Sequence, residues 1–293
     1  MTASNVPSRR IERVAVIGAG AMGHGIAQVA AMAGYRVRLY DVNTEILNSA
    51  LERIRQNLDA GVERGKVEPK TRERALAGLE ISEQLSDAVA DADLVVEAAP
   101  EDLDLKRRIF EQLDSLCSPD AVLATNTSAL SVTQIANATA HPTRVLGMHF
   151  FNPVHIMQLV EIVRGGQTQE GAVETALAAA EAMGKTPIVV KDSPGFASSR
   201  LGVALGLEAM RMVEEGVATP GDIDTAMELG YKHPMGPLKL TDLVGLDVRL
   251  AIAEYLHRET GSDRFQPPEI LRKLVSEGKL GKKTGQGFYS WDL

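Results

Sequence analysis

The chain reads as an α/β protein: a Rossmann-type, doubly wound, mainly parallel sheet followed by a second, smaller all-α domain. Three observations predict this. The stretch RVAVIGAGAMGHGIAQVAAMAGYRVRLYD places a β-branched run, a glycine turn and an Ala-rich helix before a second apolar run. Short apolar runs then alternate with helical patterns as far as Val190, as parallel strands joined by crossover helices must. Beyond Asp192-Ser193-Pro194-Gly195 the alternation stops and only helical periodicity is left.

Composition narrows the class. In 293 residues, 44% apolar content is enough for a sizeable core. A net charge of -8, with no Lys/Arg run dominating any segment, argues against nucleic-acid binding. The single cysteine, Cys117, cannot form an internal disulfide, which suits a reducing, cytoplasmic setting and a packing role. The first twelve residues lack the apolar stretch of a signal peptide, so nothing is expected to direct export. The weakly polar run from Val14 to Tyr35 is broken by glycines and carries His24 and Gln28, so no membrane span is expected either.

Val14 to Ile17 reads as the first strand. Gly18, Gly20 and Gly23 then fit G-x-G-x-x-G: a tight turn, close backbone approach to a pyrophosphate, and close packing of helix on strand. The helix they open offers its amides and positive dipole end to phosphates and stops at Gly34. Val37 to Tyr40 is the second strand, and Asp41 ends it, 23 residues past Gly18. A carboxylate there accepts hydrogen bonds from the ribose 2′-hydroxyl and repels a 2′-phosphate, which favours NAD over NADP. Arg36 and Arg38 fall outside the usual place for a phosphate-binding arginine and read as solvated or paired.

An amphipathic stretch, Thr44 to Lys66, precedes the next strand; Ile46, Leu47, Ala50, Ile54 and Leu58 share one face, which predicts a helical extension. Further strands are expected at Leu94–Ala98, Val122–Thr125, Val145–Phe151, Leu159–Val163 and Pro187–Val190. A ligand should sit beyond their C-terminal ends, near EAAPEDLDLK, TNTSAL and HFFNP. The domain boundary is set near 191, giving a dinucleotide-binding domain over 1–191, with its extension at 44–66, and an all-α domain over 192–293.

His149 and Glu161 lie twelve residues apart across a turn, so adjacent strands can bring them to one end of the sheet. A buried polar group costs free energy unless it is paired. A carboxylate bonded to an imidazole fixes its tautomer and stabilises its protonated form, which makes a general base. Beside a nicotinamide, such a base can take a hydroxyl proton while the carbon gives up hydride. His155 stands near His149, but no third ligand of suitable spacing follows, so no metal is expected.

In the last third, helical periodicity covers Leu201–Glu215, Asp222–Leu229, Val248–Glu259 and Pro268–Glu277. The apolar stripe Val203, Leu207, Met210 and Val213 exceeds the needs of a small core, which suggests burial against a second subunit. GKKTGQGFY lacks P-loop spacing and reads as a structural turn.

The segments VIGAGAMGHGIAQ, VVEAAPEDLDLK, TNTSALSVTQIA, GMHFFNPVHIMQLVEIV, DSPGFASSR, DIDTAMELGYKHPMGPLKLTDLVGLD and GKKTGQGFY together resemble the L-3-hydroxyacyl-CoA dehydrogenases, among them the bacterial 3-hydroxybutyryl-CoA dehydrogenases. The resemblance runs from about Arg13 to Tyr289. It implies NAD-dependent interconversion of L-3-hydroxyacyl-CoA and 3-oxoacyl-CoA, on short chains, by a homodimer joined through the C-terminal domain. It makes His149 the base, Glu161 its partner, Ser128 the active-site serine and Asn152 the asparagine of FFNP. Cofactor contacts carry over to Gly18, Gly20, Met22, Gly23, Asp41, Glu101, Lys106 and Asn126. Asn57 and Arg64, with Lys66 nearby, would face the acyl-CoA.

Plainer roles compete for some of these. Ser128 could cap the helix from Ser131, Asn152 could shape the turn before Pro153, and Lys106 could be a solvated helix residue. The segment PGFASSR also departs from the family's PGFxxNR, so Ser199 stands where an asparagine helps hold the substrate's 3-oxygen; a helix cap is its plainer role. Two rival functions remain: a gulonate-type dehydrogenase of free hydroxy acids, which HFFNP disfavours, and a non-catalytic NADH-binding protein, which would need none of His149, Glu161 and Ser128.

Overall fold

The computed structural model describes residues 10–292. The start of the segment read for a signal peptide therefore lies outside the described residues. Residues through Asp192 form one compact unit and those from Ser193 a second.

The first unit is built on eight strands: β1 (Arg13–Ile17), β2 (Arg36–Tyr40), β3 (Leu79–Ser82), β4 (Leu94–Glu97), β5 (Val122–Thr125), β6 (Val145–Phe150), β7 (Leu159–Arg164) and β8 (Thr186–Lys191). They form one sheet in the order β3-β2-β1-β4-β5-β6-β7-β8. Every pairing is parallel except β6 with β7. Strand β3 was not expected; LEIS is four residues long, has a single β-branched residue and is only half-buried at the sheet edge. At the other edge β8 keeps Ile188 and Val189 partly exposed.

Seven helices accompany the sheet: α1 (Gly23–Met32), α2 (Thr44–Glu63), α3 (Pro69–Ala77), α4 (Leu85–Val89), α5 (Leu103–Leu116), α6 (Val132–Ala136) and α7 (Glu170–Ala182). Strand residues alternate between the two faces. Val14 and Val16 of β1 join Ile26 of α1, Leu47 of α2 and Ala176 of α7 in one core cluster. Ala15 and Ile17 join Ala88 of α4, Phe110 of α5 and Ile135 of α6 in another. That division is the doubly wound arrangement, with a core on each side of the sheet.

The extension is a helix pair. α2 starts because the Asn43 side chain accepts from the amides of Glu45 (2.8 Å) and Ile46 (3.3 Å). Leu47, Ala50, Ile54 and Leu58 are buried, each larger side chain contributing about 1.5–3 kcal/mol. Ile46, grouped with them from the sequence, is 41% exposed; it lies about 100° round the helix from the buried Leu47, at the rim of that face. Arg38 is paired, with Asp91 at 2.5 Å and Glu80 at 3.7 Å.

The second unit holds α8 (Ser198–Glu214), α9 (Pro220–Thr225), a π-helical turn (Ala226–Gly230), α10 (Pro237–Val244), α11 (Leu246–Thr260) and α12 (Glu269–Ser276). Helix α10 escaped the sequence reading because Pro237 opens it and Gly245 closes it within eight residues. The stripe Val203, Leu207 and Met210 is consumed inside this unit, with Val213 packed on the same cluster. It therefore gives no argument for a second subunit. Buried Asp242 closes the chain's end: it accepts from the amides of Phe288 and Tyr289 and from Trp291 Nε1, each at 2.9 Å. Gly287 abuts it, since a Cβ there would meet Asp242 Oδ1 at 2.2 Å.

Cys117 lies buried at the end of α5. Burial pushes its thiol up to about 11, although Arg144 pulls the other way. Iodoacetamide at about pH 8 should therefore leave the native chain unmodified and alkylate the urea-unfolded chain once. Equal rates in the two states would contradict the packing role.

Candidate active site

The glycine loop is shaped by steric necessity. Gly18 has φ +99°, and a Cβ on it would meet the Ala98 carbonyl oxygen at 2.7 Å. A Cβ on Gly23 would lie 1.7 Å from the Gly18 oxygen, so α1 can approach the loop only without one. At Gly20 nothing stands within 4 Å of that direction, leaving open space where a pyrophosphate would approach. Met22 takes the N-cap position of α1 without a side-chain cap. Asp41 Oδ2 accepts from the Ala19 amide at 2.8 Å, and Oδ1 from the Asn43 amide at 3.0 Å. Its carboxylate thus ties the glycine loop to the start of α2. These residues fit a dinucleotide: an open approach at Gly20, helix amides behind it and a half-exposed carboxylate at the end of β2.

The next strand end carries a network that the sequence reading only partly foresaw. Glu97, the last residue of β4, is fully buried. Its Oε1 accepts from the Ala99 amide and from Lys106 Nζ, both at 2.6 Å, and its Oε2 accepts from Thr125 Oγ1 at 2.7 Å. Lys106 is 1% exposed, so it is no solvated helix residue; it turns inward from the first turns of α5. Its ammonium also donates to the Ala99 carbonyl at 3.1 Å and stands 3.6 Å from Glu101 Oε2. Glu101 Oε1 accepts from Thr127 Oγ1 (2.5 Å) and the Ser128 amide (2.9 Å). Buried Asn126 ties neighbouring strands together, its Oδ1 accepting from the Phe150 amide at 2.8 Å. Glu97, Thr125 and Thr127 were missed, although a Glu closing a strand as apolar as LVVE was a visible signal.

Ser128 does not cap the following helix. Ser131 does, accepting from the Gln134 amide at 3.2 Å.

His149 and Glu161 are direct cross-strand partners in the antiparallel β6–β7 pair. Opposed residues point to one face, so the register brings the side chains together. His149 Nδ1 lies 2.7 Å from Glu161 Oε2, with both side chains buried. The imidazole also sits against the Phe151 ring, centroids 4.4 Å apart. An acceptor-only carboxylate at Nδ1 places that nitrogen's proton between the two groups and leaves Nε2 as the exchanging atom. Asn152 follows at the exposed turn, joined to Pro153 by a cis peptide bond.

Asn57 Nδ2 donates to Gln28 Oε1 at 3.2 Å, which fastens α2 to α1. Arg64 and Lys66 are exposed at the end of α2. Ser199 belongs to the second unit, in the first turn of α8; the cap position is held by Ala197, so the cap role does not account for it. Among the described residues no group of three or more His, Cys, Asp or Glu side chains could hold a metal ion.

Residues 13–193 match the 3-hydroxyacyl-CoA dehydrogenase NAD binding domain, and residues 195–291 match the C-terminal domain of the same enzymes. The chain belongs to the 3-hydroxyacyl-CoA dehydrogenase family. It is 46% identical over 282 residues to a Bacillus subtilis protein named "Probable 3-hydroxybutyryl-CoA dehydrogenase", covering 96% of this chain and 98% of that one. A 3-hydroxybutyryl-CoA dehydrogenase of Mycobacterium tuberculosis is 44% identical over 286 residues, covering 97% of this chain and all of the other. The crystal structure of (S)-3-hydroxybutyryl-CoA dehydrogenase PaaH1 from Ralstonia eutropha superposes with a TM-score of 0.93 at 39% identity, over 97% of this chain and 100% of that one. The Rossmann-type sheet, the helical second domain and NAD as cofactor all follow from that membership.

Asp41→Ala should weaken NADH binding by about 1.5–3 kcal/mol and relax the rejection of NADPH, since one charge-assisted acceptor is lost. Fluorescence titration with both cofactors reads this. Unchanged affinity for both would contradict the assignment.

Proposed function

We propose that this dehydrogenase interconverts short-chain L-3-hydroxyacyl-CoA, such as 3-hydroxybutyryl-CoA, and the 3-oxoacyl-CoA, with His149 and Glu161 as the general base pair. The observation that carries the reading is the 2.7 Å hydrogen bond between His149 Nδ1 and Glu161 Oε2 across β6–β7. In oxidation His149 Nε2 takes the proton from the 3-hydroxyl, and in reduction it returns it. Glu161 holds the imidazole by Nδ1 and stabilises its cationic form. NAD, when bound, accepts or returns the hydride. Ser128 and Asn152 are the polar groups assigned to the substrate's reacting end. Asn57 and Arg64, with Lys66 beside them, are assigned to the CoA.

The same reading makes the protein a cytoplasmic homodimer. Support for the dimer comes from an apolar surface on helices that pack together: Leu201 of α8 and Leu240 and Val244 of α10 are exposed. No described helix is long and apolar enough to cross a membrane.

His149→Ala should lower kcat by about 100- to 10,000-fold while NADH still binds, because general base catalysis contributes that much. Glu161→Gln keeps a hydrogen-bond acceptor at Nδ1 but removes the charge, so its loss of kcat should be milder, and full activity in that variant would break the pair. The substrate class is read by following NADH oxidation with acetoacetyl-CoA, longer 3-oxoacyl-CoAs and free acetoacetate. Turnover is expected for the thioesters, and its absence with every thioester would overturn the proposal.

A further inference from the structure

Three donors converge on the buried Glu97 carboxylate from three pieces of chain. The Ala99 amide and the Lys106 ammonium meet Oε1, and the Thr125 hydroxyl meets Oε2. Both oxygens act as acceptors, which a carboxylate allows and a carboxamide does not. The turn it organises lies against the cofactor loop, because a Cβ on Gly18 would strike the Ala98 carbonyl. On the far side of Lys106 is Glu101, whose Oε1 is taken by the Thr127 hydroxyl and the Ser128 amide. Its Oε2 has the ammonium only at 3.6 Å, and its side chain is 44% exposed. One buried cation thus stands between two carboxylates: in tight contact with the buried one, and at arm's length from the one that opens toward solvent.

We propose that Glu97 is a positioning residue for the nicotinamide half of the cofactor: it draws the Lys106 ammonium inward and thereby keeps Glu101 available to the bound nucleotide. The physical logic is competition. An ammonium buried this deeply must have an anion. Without the Glu97 charge the nearest one is Glu101, and a contact ion pair there would occupy Oε2 and turn it away from solvent. The inference rests on the reading that Glu101 faces the cofactor, and it adds a residue to which the family resemblance assigned no role.

The test uses two ligands on the whole chain. NADH engages both halves of the site and is titrated by its own fluorescence; ADP, displaced against it, engages only the glycine loop and Asp41. Glu97→Gln should weaken NADH by about tenfold or more while ADP stays within about twofold of wild type. A variant that merely loosens the fold would lose both ligands together, and that outcome overturns the proposal. A double-mutant cycle adds the coupling. In a Lys106→Met background no ammonium is left to migrate, so adding Glu97→Gln should not change the ratio of NADH to ADP affinity further. Should either single variant fail to fold with its partner's charge stranded, the doubly neutral pair strands none, and its ratio of NADH to ADP affinity, read directly against wild type, should stay within about twofold, a tenfold fall overturning the proposal. An equal loss of NADH in both backgrounds would overturn the proposal. Glu101→Gln with wild-type affinity for NADH and ADP would instead sink the reading of Glu101 on which it rests.

Discussion

The reversal of one strand decides what this sheet can do. Seven pairings bind the eight strands, and only β6 with β7 is antiparallel. A parallel neighbour would reach β6 through a long crossover, so residues twelve apart could not stand opposite each other. The reversal makes Glu161 the cross-strand partner of His149 at the end of β6, next to the strand ends where the nucleotide loop and the TNTS segment lie. Had the register slipped by one residue, Glu161 would point to the other face and the imidazole would be buried without its anion. The apolar residues Val160 and Ile162, packed in the core, hold the register in place.

The strand ends are fastened to one another by polar side chains whose partners are mostly backbone amides. Asp41 spans the ends of β1 and β2, Glu97 those of β4 and β5, and Asn126 those of β5 and β6. Each closes a gap that parallel strands leave where their ladders run out. A site assembled this way is held rigidly before any ligand arrives, which is what transition-state stabilisation by positioned groups needs. The second unit closes its own C-terminal segment by the same means through Asp242, buried under donors from residues 288–291.

Local signals in the sequence carried much of this. G-x-G-x-x-G followed by Asp41 marks a turn with no room for a Cβ at its first and third glycines, and β-branched runs such as VAVI and LVVE have few alternatives to a strand. His149 and Glu161 stood out because both are costly inside apolar runs. What escaped notice depends on partners distant in the chain. LEIS becomes a strand only because β2 offers an edge. Lys106 looks like any helix lysine until Glu97, nine residues earlier, takes its ammonium. The Val203, Leu207 and Met210 stripe misled because periodicity reports that a face is buried, not what covers it; Leu238 and Leu256 of the same unit do.

The outer strand β8 sets a handling property of the whole molecule. It pairs on one side only, and an unpaired row of amides and carbonyls is a template for another chain's strand. Ile188 and Val189 make that rim stickier than its position warrants. Pro187 removes one donor from the row, and the run closes in charged Lys191, two devices by which natural sheets discourage growth into aggregates. The rim is thus guarded at its two ends and sticky in its middle, so substitutions that neutralise Lys191 or restore an amide at 187 would be felt first in solubility at high concentration, before any change in turnover.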